Sequence, residues 1–65
     1  MKLYCVIDGE SYPEGAPDGI FESLEDAKIY ILMKVDNPDT KRIYEYTLNR
    51  DGYEFVFNNL GEKIK

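Results

Sequence analysis

Nucleophilic catalysis requires a nucleophile and a base that activates it. The chain offers one thiol, Cys5, and the hydroxyls of Ser11, Ser23, Thr40 and Thr47, but no histidine. Cys5 sits inside the apolar run LYCVI, where a cysteine reads as a small core residue. Carboxylates are plentiful, with Asp and Glu totalling 13. Pairs are therefore inevitable and say little by themselves. A working acid–base pair needs a cleft that separates the two pKa values. A chain of 65 residues with one helix leaves little room for a pocket of a few hundred cubic ångströms. The expectation is no catalytic residue and no enzymatic activity.

Oxygen ligands would suit calcium, and two acidic stretches invite the comparison. In DGESYPEGAPDG (8–19) the third-ligand position of an EF-hand loop falls on Tyr12, and the twelfth position is Gly19 rather than Glu. DNPDT (36–40) is too short and has Pro38 where a ligand should stand. With one cysteine and no histidine, a structural zinc site is not expected either. The glycines of 8–19 are flanked by acids that would repel a phosphate. Aromatic strands can stack unpaired bases when basic residues are interleaved with them. Here Lys41, Arg42 and Arg50 are countered by Glu45, Asp51 and Glu54. No cofactor, no metal and no direct contact with nucleic acid are expected.

Charge is the strongest remaining signal. The net charge is −5, but its distribution matters more than its sum. Between Leu3 and Ala27 stand Asp8, Glu10, Glu14, Asp18, Glu22, Glu25 and Asp26, with no base among them. The stretch from Thr40 onward is nearly balanced. Such a block disfavours nucleic acid and anionic membranes and favours a basic partner. The plainer alternative is that the acids only keep a small domain soluble. Tyr12 is the one aromatic within 8–19. Together with the seven acids it makes the expected partner-binding set: Asp8, Glu10, Tyr12, Glu14, Asp18, Glu22, Glu25 and Asp26.

The elements that must position these residues follow from pattern. KLYCVI (2–7) is a short β-branched and aromatic run ending at the Asp8-Gly9 turn signal. It is apolar on both sides, as a central strand is, with Leu3, Cys5 and Ile7 expected to face the main core. Five Gly and Pro residues break up 8–19. A brief extended piece, Ile20 and Phe21, precedes Ser23, which reads as a helix N-cap with Asp26 three residues on. LEDAKIYILMKV (24–35) is the helix, with a core stripe of Leu24, Ala27, Ile31 and Val35. The turn DNPD (36–39) ends it, since Pro38 drives Asn37 out of helical geometry.

KRIYEYTLN (41–49) and YEFVFNN (53–59) read as a hairpin around RDG (50–52), with Gly52 in the left-handed position. Tyr53, Phe55 and Phe57 would share one side and meet Tyr44, Tyr46 and Leu48 across the pair. Leu60 to Lys65 is expected to fray. The whole is one domain, 1–65, of the α+β class: a small antiparallel sheet of three or four strands with one helix on one face, in β-β-α-β-β order.

Several of these residues also carry a resemblance. Tyr4 and Val6, Gly19-Ile20-Phe21, Ser23, Glu25, Ala27 and Glu45-Tyr46-Thr47-Leu48 match a Y-x-V strand, a G-[IV]-F-x-S-x-E-x-A strand-to-helix junction and an E-Y-x-L strand. With the acidic loop between them, they resemble a class of short, mostly uncharacterised bacteriophage proteins. The resemblance implies no active site. It implies a small protein that binds and redirects a host protein, a host-factor inhibitor, with DNA mimicry as one form of that activity.

The opening MKLYCVIDGE lacks the long apolar run of an export signal, and no window approaches the roughly 18–20 apolar residues of a membrane span. A lone cysteine fits a reducing compartment. The expected location is the cytoplasm, the host's if the chain is phage-encoded. The expected partner is a protein with a basic surface. The alternative is a self-associating protein that dimerises through a sheet edge or an aromatic face.

Overall fold

The computed structural model describes residues 1–8, 18–35 and 38–64. The elements run β1 (Lys2–Asp8), β2 (Gly19–Phe21), α1 (Leu24–Lys34), a 3₁₀ turn (Pro38–Thr40), β3 (Lys41–Thr47) and β4 (Tyr53–Phe57). The four strands form one antiparallel sheet in the order β2-β1-β3-β4, with α1 packed on one face. This is the α+β arrangement expected, and the short piece before the helix is a true strand. Residues 9–17, expected as a long acidic turn, lie outside the described residues, as do Asp36 and Asn37 of the helix-ending turn.

The helix starts where the cap places it. The Ser23 hydroxyl accepts a hydrogen bond from the Asp26 backbone N–H at 3.1 Å, and Glu25 and Asp26 put negative charge at the positive end of the helix dipole. Val35 turns back to extended geometry and ends it. Of the expected stripe, Ala27 and Ile31 are fully buried, and Leu24 packs at their border.

The sheet face under the helix differs from the expectation. α1 covers Val6 and Ile43, with Tyr4, Phe21, Tyr30 and Phe57 packed around them. Cys5 and Ile7 point to the opposite face and form a separate cluster with Tyr44 and Val56. Both faces of β1 are apolar, so its own pattern could not select the covered side. The choice rests on β2: Phe21 pairs with Tyr4 and Gly19 with Val6, which carries the chain onto that side as it enters the helix.

The β3–β4 hairpin contains a second difference. The loop spans residues 48–52, with Asn49 at φ 71° and Gly52 at φ 72°. Gly52 holds the left-handed position expected of it. Glu45 lies opposite Phe55, but Tyr46 lies opposite Tyr53, so Glu54 is an extra residue in β4. This bulge separates side chains that strict alternation would put together. Tyr53 meets Tyr44 and Tyr46 edge-on, at ring-centroid distances of 4.9 and 6.4 Å, on the helix-free face. Phe57 stays on the helix face, 6.4 Å from Tyr4.

The chain after β4 does not fray through residue 64. The Asn58 side-chain oxygen accepts from the backbone N–H groups of Leu60 and Glu62, both at 2.9 Å. The Ile64 N–H donates to the Val56 carbonyl at 2.8 Å, and the Lys63 ammonium lies 3.9 Å from the Phe55 ring centroid. The segment folds back along β4 and covers part of that sheet edge.

Candidate functional site

The acids that form one block in the sequence are divided in space. Asp8 ends β1 and Asp18 directly precedes β2, at the same end of the sheet, where the Asp18 N–H donates to the Val6 carbonyl. Glu22, Glu25 and Asp26 lie beyond the other end of β2, at the start of α1. A three-residue strand separates the two groups by about 10 Å.

Their electrostatics also differ. Lys41, the first residue of β3, stands opposite Asp8 in the ladder, and its ammonium reaches the Asp18 carboxylate at 2.5 Å. The hydrogen bond and charge of Asp18, with Asp8 adding to them, hold the Lys41 ammonium above its ordinary pKa. A base absent from the local sequence thus offsets the charge at this end. At the helix end, Glu22, Glu25 and Asp26 are all exposed. Lys28 lies 3.7 Å from Glu25 in an open i,i+3 pair, which is worth little in water. Glu10, Tyr12 and Glu14 of the expected binding set lie outside the described residues.

Sequence reasoning missed the surface beside those helix acids. The outward side of α1 is apolar: Ile29 is partly exposed, Leu32 is 82% exposed and Met33 is 72% exposed. Spacings of three and four put these residues on the side opposite Ala27 and Ile31. The sheet covers one side of α1 only, so these three large apolar residues stay outside, among the charged Glu25, Asp26, Lys28 and Lys34. The signal was readable in IYILM (29–33), where the core stripe leaves three large apolar residues without a place.

Beside this face runs a groove of about 260 Å³. Glu25, Lys28, Ile29 and Leu32 form its helix wall, Asn59, Leu60 and Pro38 the opposing one, and Ile31 lies at its base. Gly61 sets how closely the two walls approach. Its φ is 84°, and a Cβ there would collide with the aliphatic chain of Lys28. The Asn58-centred turn makes the opposing wall a built element, because its backbone donors are already satisfied.

A second polar cluster lies on the helix-side face of the sheet. Glu45 is buried, and Lys2 Nζ is 3.1 Å from its Oε1, which has no hydrogen-bond donor of good geometry among the described residues. Burial, and then the neighbouring Glu45 carboxylate, push the Tyr4 hydroxyl above its ordinary pKa. Thr47 donates to Glu54 at 2.6 Å and holds that carboxyl below its ordinary value. The cluster compensates its own charges and reads as a structural device.

Among the described residues no three His, Cys, Asp or Glu side chains are grouped to hold a metal, and no helix is long and apolar enough to cross a membrane. The fold and surface together define a small α+β protein with an acidic helix start and an apolar outer helix face. No family model, curated protein or solved structure gives a match to the chain.

Proposed function

We propose that this chain is a small acidic protein-binding module of the bacteriophage type, which docks onto a host protein with a basic surface and modulates it in the host cytoplasm. One observation carries the reading: the exposed acids Glu25 and Asp26 adjoin the exposed apolar side chains Ile29, Leu32 and Met33 on a single helix, with the exposed Glu22 just ahead of its cap. Interfaces combine an apolar centre with charged rims that steer encounter and fix register. The resemblance in the strand-to-helix junction Gly19–Ala27 supports the phage context.

Docking fits the charge layout better than DNA mimicry does. A DNA mimic needs a continuous row of carboxylates, and Lys41 interrupts the row beside Asp8 and Asp18. The test is affinity capture from bacterial lysate at low and moderate salt, with wild type compared against Glu22→Lys/Glu25→Lys. A partner retained at low salt, weakened by salt and lost with the charge-reversed variant is expected. Equal retention by wild type and variant would sink the reading. Competition with DNA for the captured partner separates mimicry from docking.

A further inference from the structure

We propose that the groove between α1 and the turn after β4 is the seat for an amphipathic helical segment of the partner, whose apolar side chains enter the groove while its lysines or arginines meet the acids of the first helical turn. The inference rests on the reading of the chain as an acidic binding module, and it adds the site and the chemistry of what binds there.

Size decides the kind of occupant. Pockets for whole small molecules run from about 300 to 1,000 Å³, and 260 Å³ falls below that range. The groove instead suits one or two side chains presented by a larger body. Its helix wall runs from Glu25 to Leu32, seven residues along α1, or about 10 Å. That length accepts anchors one to two turns apart on a partner helix, the spacing used in helix-in-groove recognition.

Charge decides the partner's sign. The N-terminal end of the groove is bounded by Glu25, whose side chain is largely exposed, with Glu22 and Asp26 beside it. The dipole of α1 draws its own acids to this end, and they remain available to a cation from outside. Among the described residues Lys28 is the one base lining the groove, and its aliphatic chain lies against Gly61. A partner base would replace Lys28 in an exposed pair of 3.7 Å at little cost. An acidic partner would face the helix acids with no such exchange available. Preorganisation favours the groove as well, since one wall is a capped helix and the Asn58 turn of the other is hydrogen-bonded within itself.

The test uses the full chain, isotope-labelled, and three synthetic helix-forming peptides of about four turns. The first has leucines at i, i+3, i+4 and i+7 with lysines on the remaining positions. The second carries glutamate in place of lysine, and the third alanine in place of leucine. The first should shift the amide resonances of Ile29, Leu32 and Leu60. The second and third should bind at least about tenfold more weakly, a difference of about 1.4 kcal/mol or more. Leu32→Ser should weaken the first peptide at least about tenfold, whereas Leu48→Ser, at an exposed leucine far along the chain, should leave it unchanged. An unaltered melting temperature shows that Leu32→Ser is folded. Salt-sensitive binding that ignores Leu32→Ser and tolerates the alanine peptide leaves the acidic module standing and overturns the groove. Equal binding of the lysine and glutamate peptides overturns both. So does the absence of binding by any peptide. A dimer in sedimentation that Leu32→Ser dissociates would assign the groove to a second copy instead.

Discussion

Both sides of α1 carry large apolar residues, and these have opposite fates. Inward, Ala27 and Ile31 are sealed against Val6 and Ile43. Outward, Ile29, Leu32 and Met33 stand exposed. The inner side is committed to holding the sheet, and the outer side is free to meet something else. In so small a chain, leaving three large apolar residues outside forgoes burial worth roughly 1.5–3 kcal/mol each. Such exposure is what the proposed docking face requires.

The largest effect expected is also the simplest way to break this contrast. Ile31→Ala should lower the unfolding free energy by about 2–5 kcal/mol, because it opens a cavity at a site only 1% exposed. Leu32→Ala, one residue away, should change it by less than about 0.5 kcal/mol. Urea titration of both variants checks this, and equal losses would mean that the outer side is structural after all.

A smaller loss is expected at the groove's far wall. Gly61→Ala places a side chain in left-handed geometry and against Lys28, so it should cost about 1–3 kcal/mol. It should also shift the Leu60 and Lys28 resonances before the global unfolding transition. Ser23→Ala removes the cap from which both sides of the helix begin. About 1 kcal/mol should be lost, read as a lower melting temperature.

The pH response should report the sheet beneath the helix. Burial of Cys5 raises its thiol pKa above the ordinary value of 9.0, so the folded chain holds that proton more tightly than the unfolded chain does. The resulting stabilisation is fully present below pH 9 and is lost as pH rises through the raised value. Tyr4, also raised, adds to the alkaline loss at higher pH. Melting temperatures measured from neutral pH upward should fall, and Cys5→Ala should reduce the early part of that fall. An unchanged profile in the variant would show that the thiol does not contribute.

Much of this was legible in the chain because it is local. Ser23 and Asp26 mark the helix start through a contact three residues long, and Leu24, Ala27 and Ile31 show the inner stripe by spacing alone. Gly52 declares its turn because few other residues adopt that geometry comfortably. The candidate site was legible only in half. Its acids were plain, but the core stripe of Leu24, Ala27, Ile31 and Val35 leaves open where Ile29, Leu32 and Met33 lie. Their exposure depends on how much of the helix the sheet can cover. The bulge at Glu54 was hidden for a related reason. Strict alternation predicts one face for Tyr53, Phe55 and Phe57, and only the pairing with β3 moves Tyr53 to the other side.

By itself, the sequence determined the element types, their order, the helix cap and the excess of acid, since each follows from residues within a turn or a strand of one another. Tertiary structure decided which face of β1 the helix covers and which acids stay in exposed surroundings. It also decided that Leu60 returns to make a groove with Leu32. Those outcomes rest on contacts such as Lys41 with Asp18 and Gly61 with Lys28, between residues more than twenty positions apart. Nothing local specifies such pairs, because their geometry exists only once the sheet has closed its register.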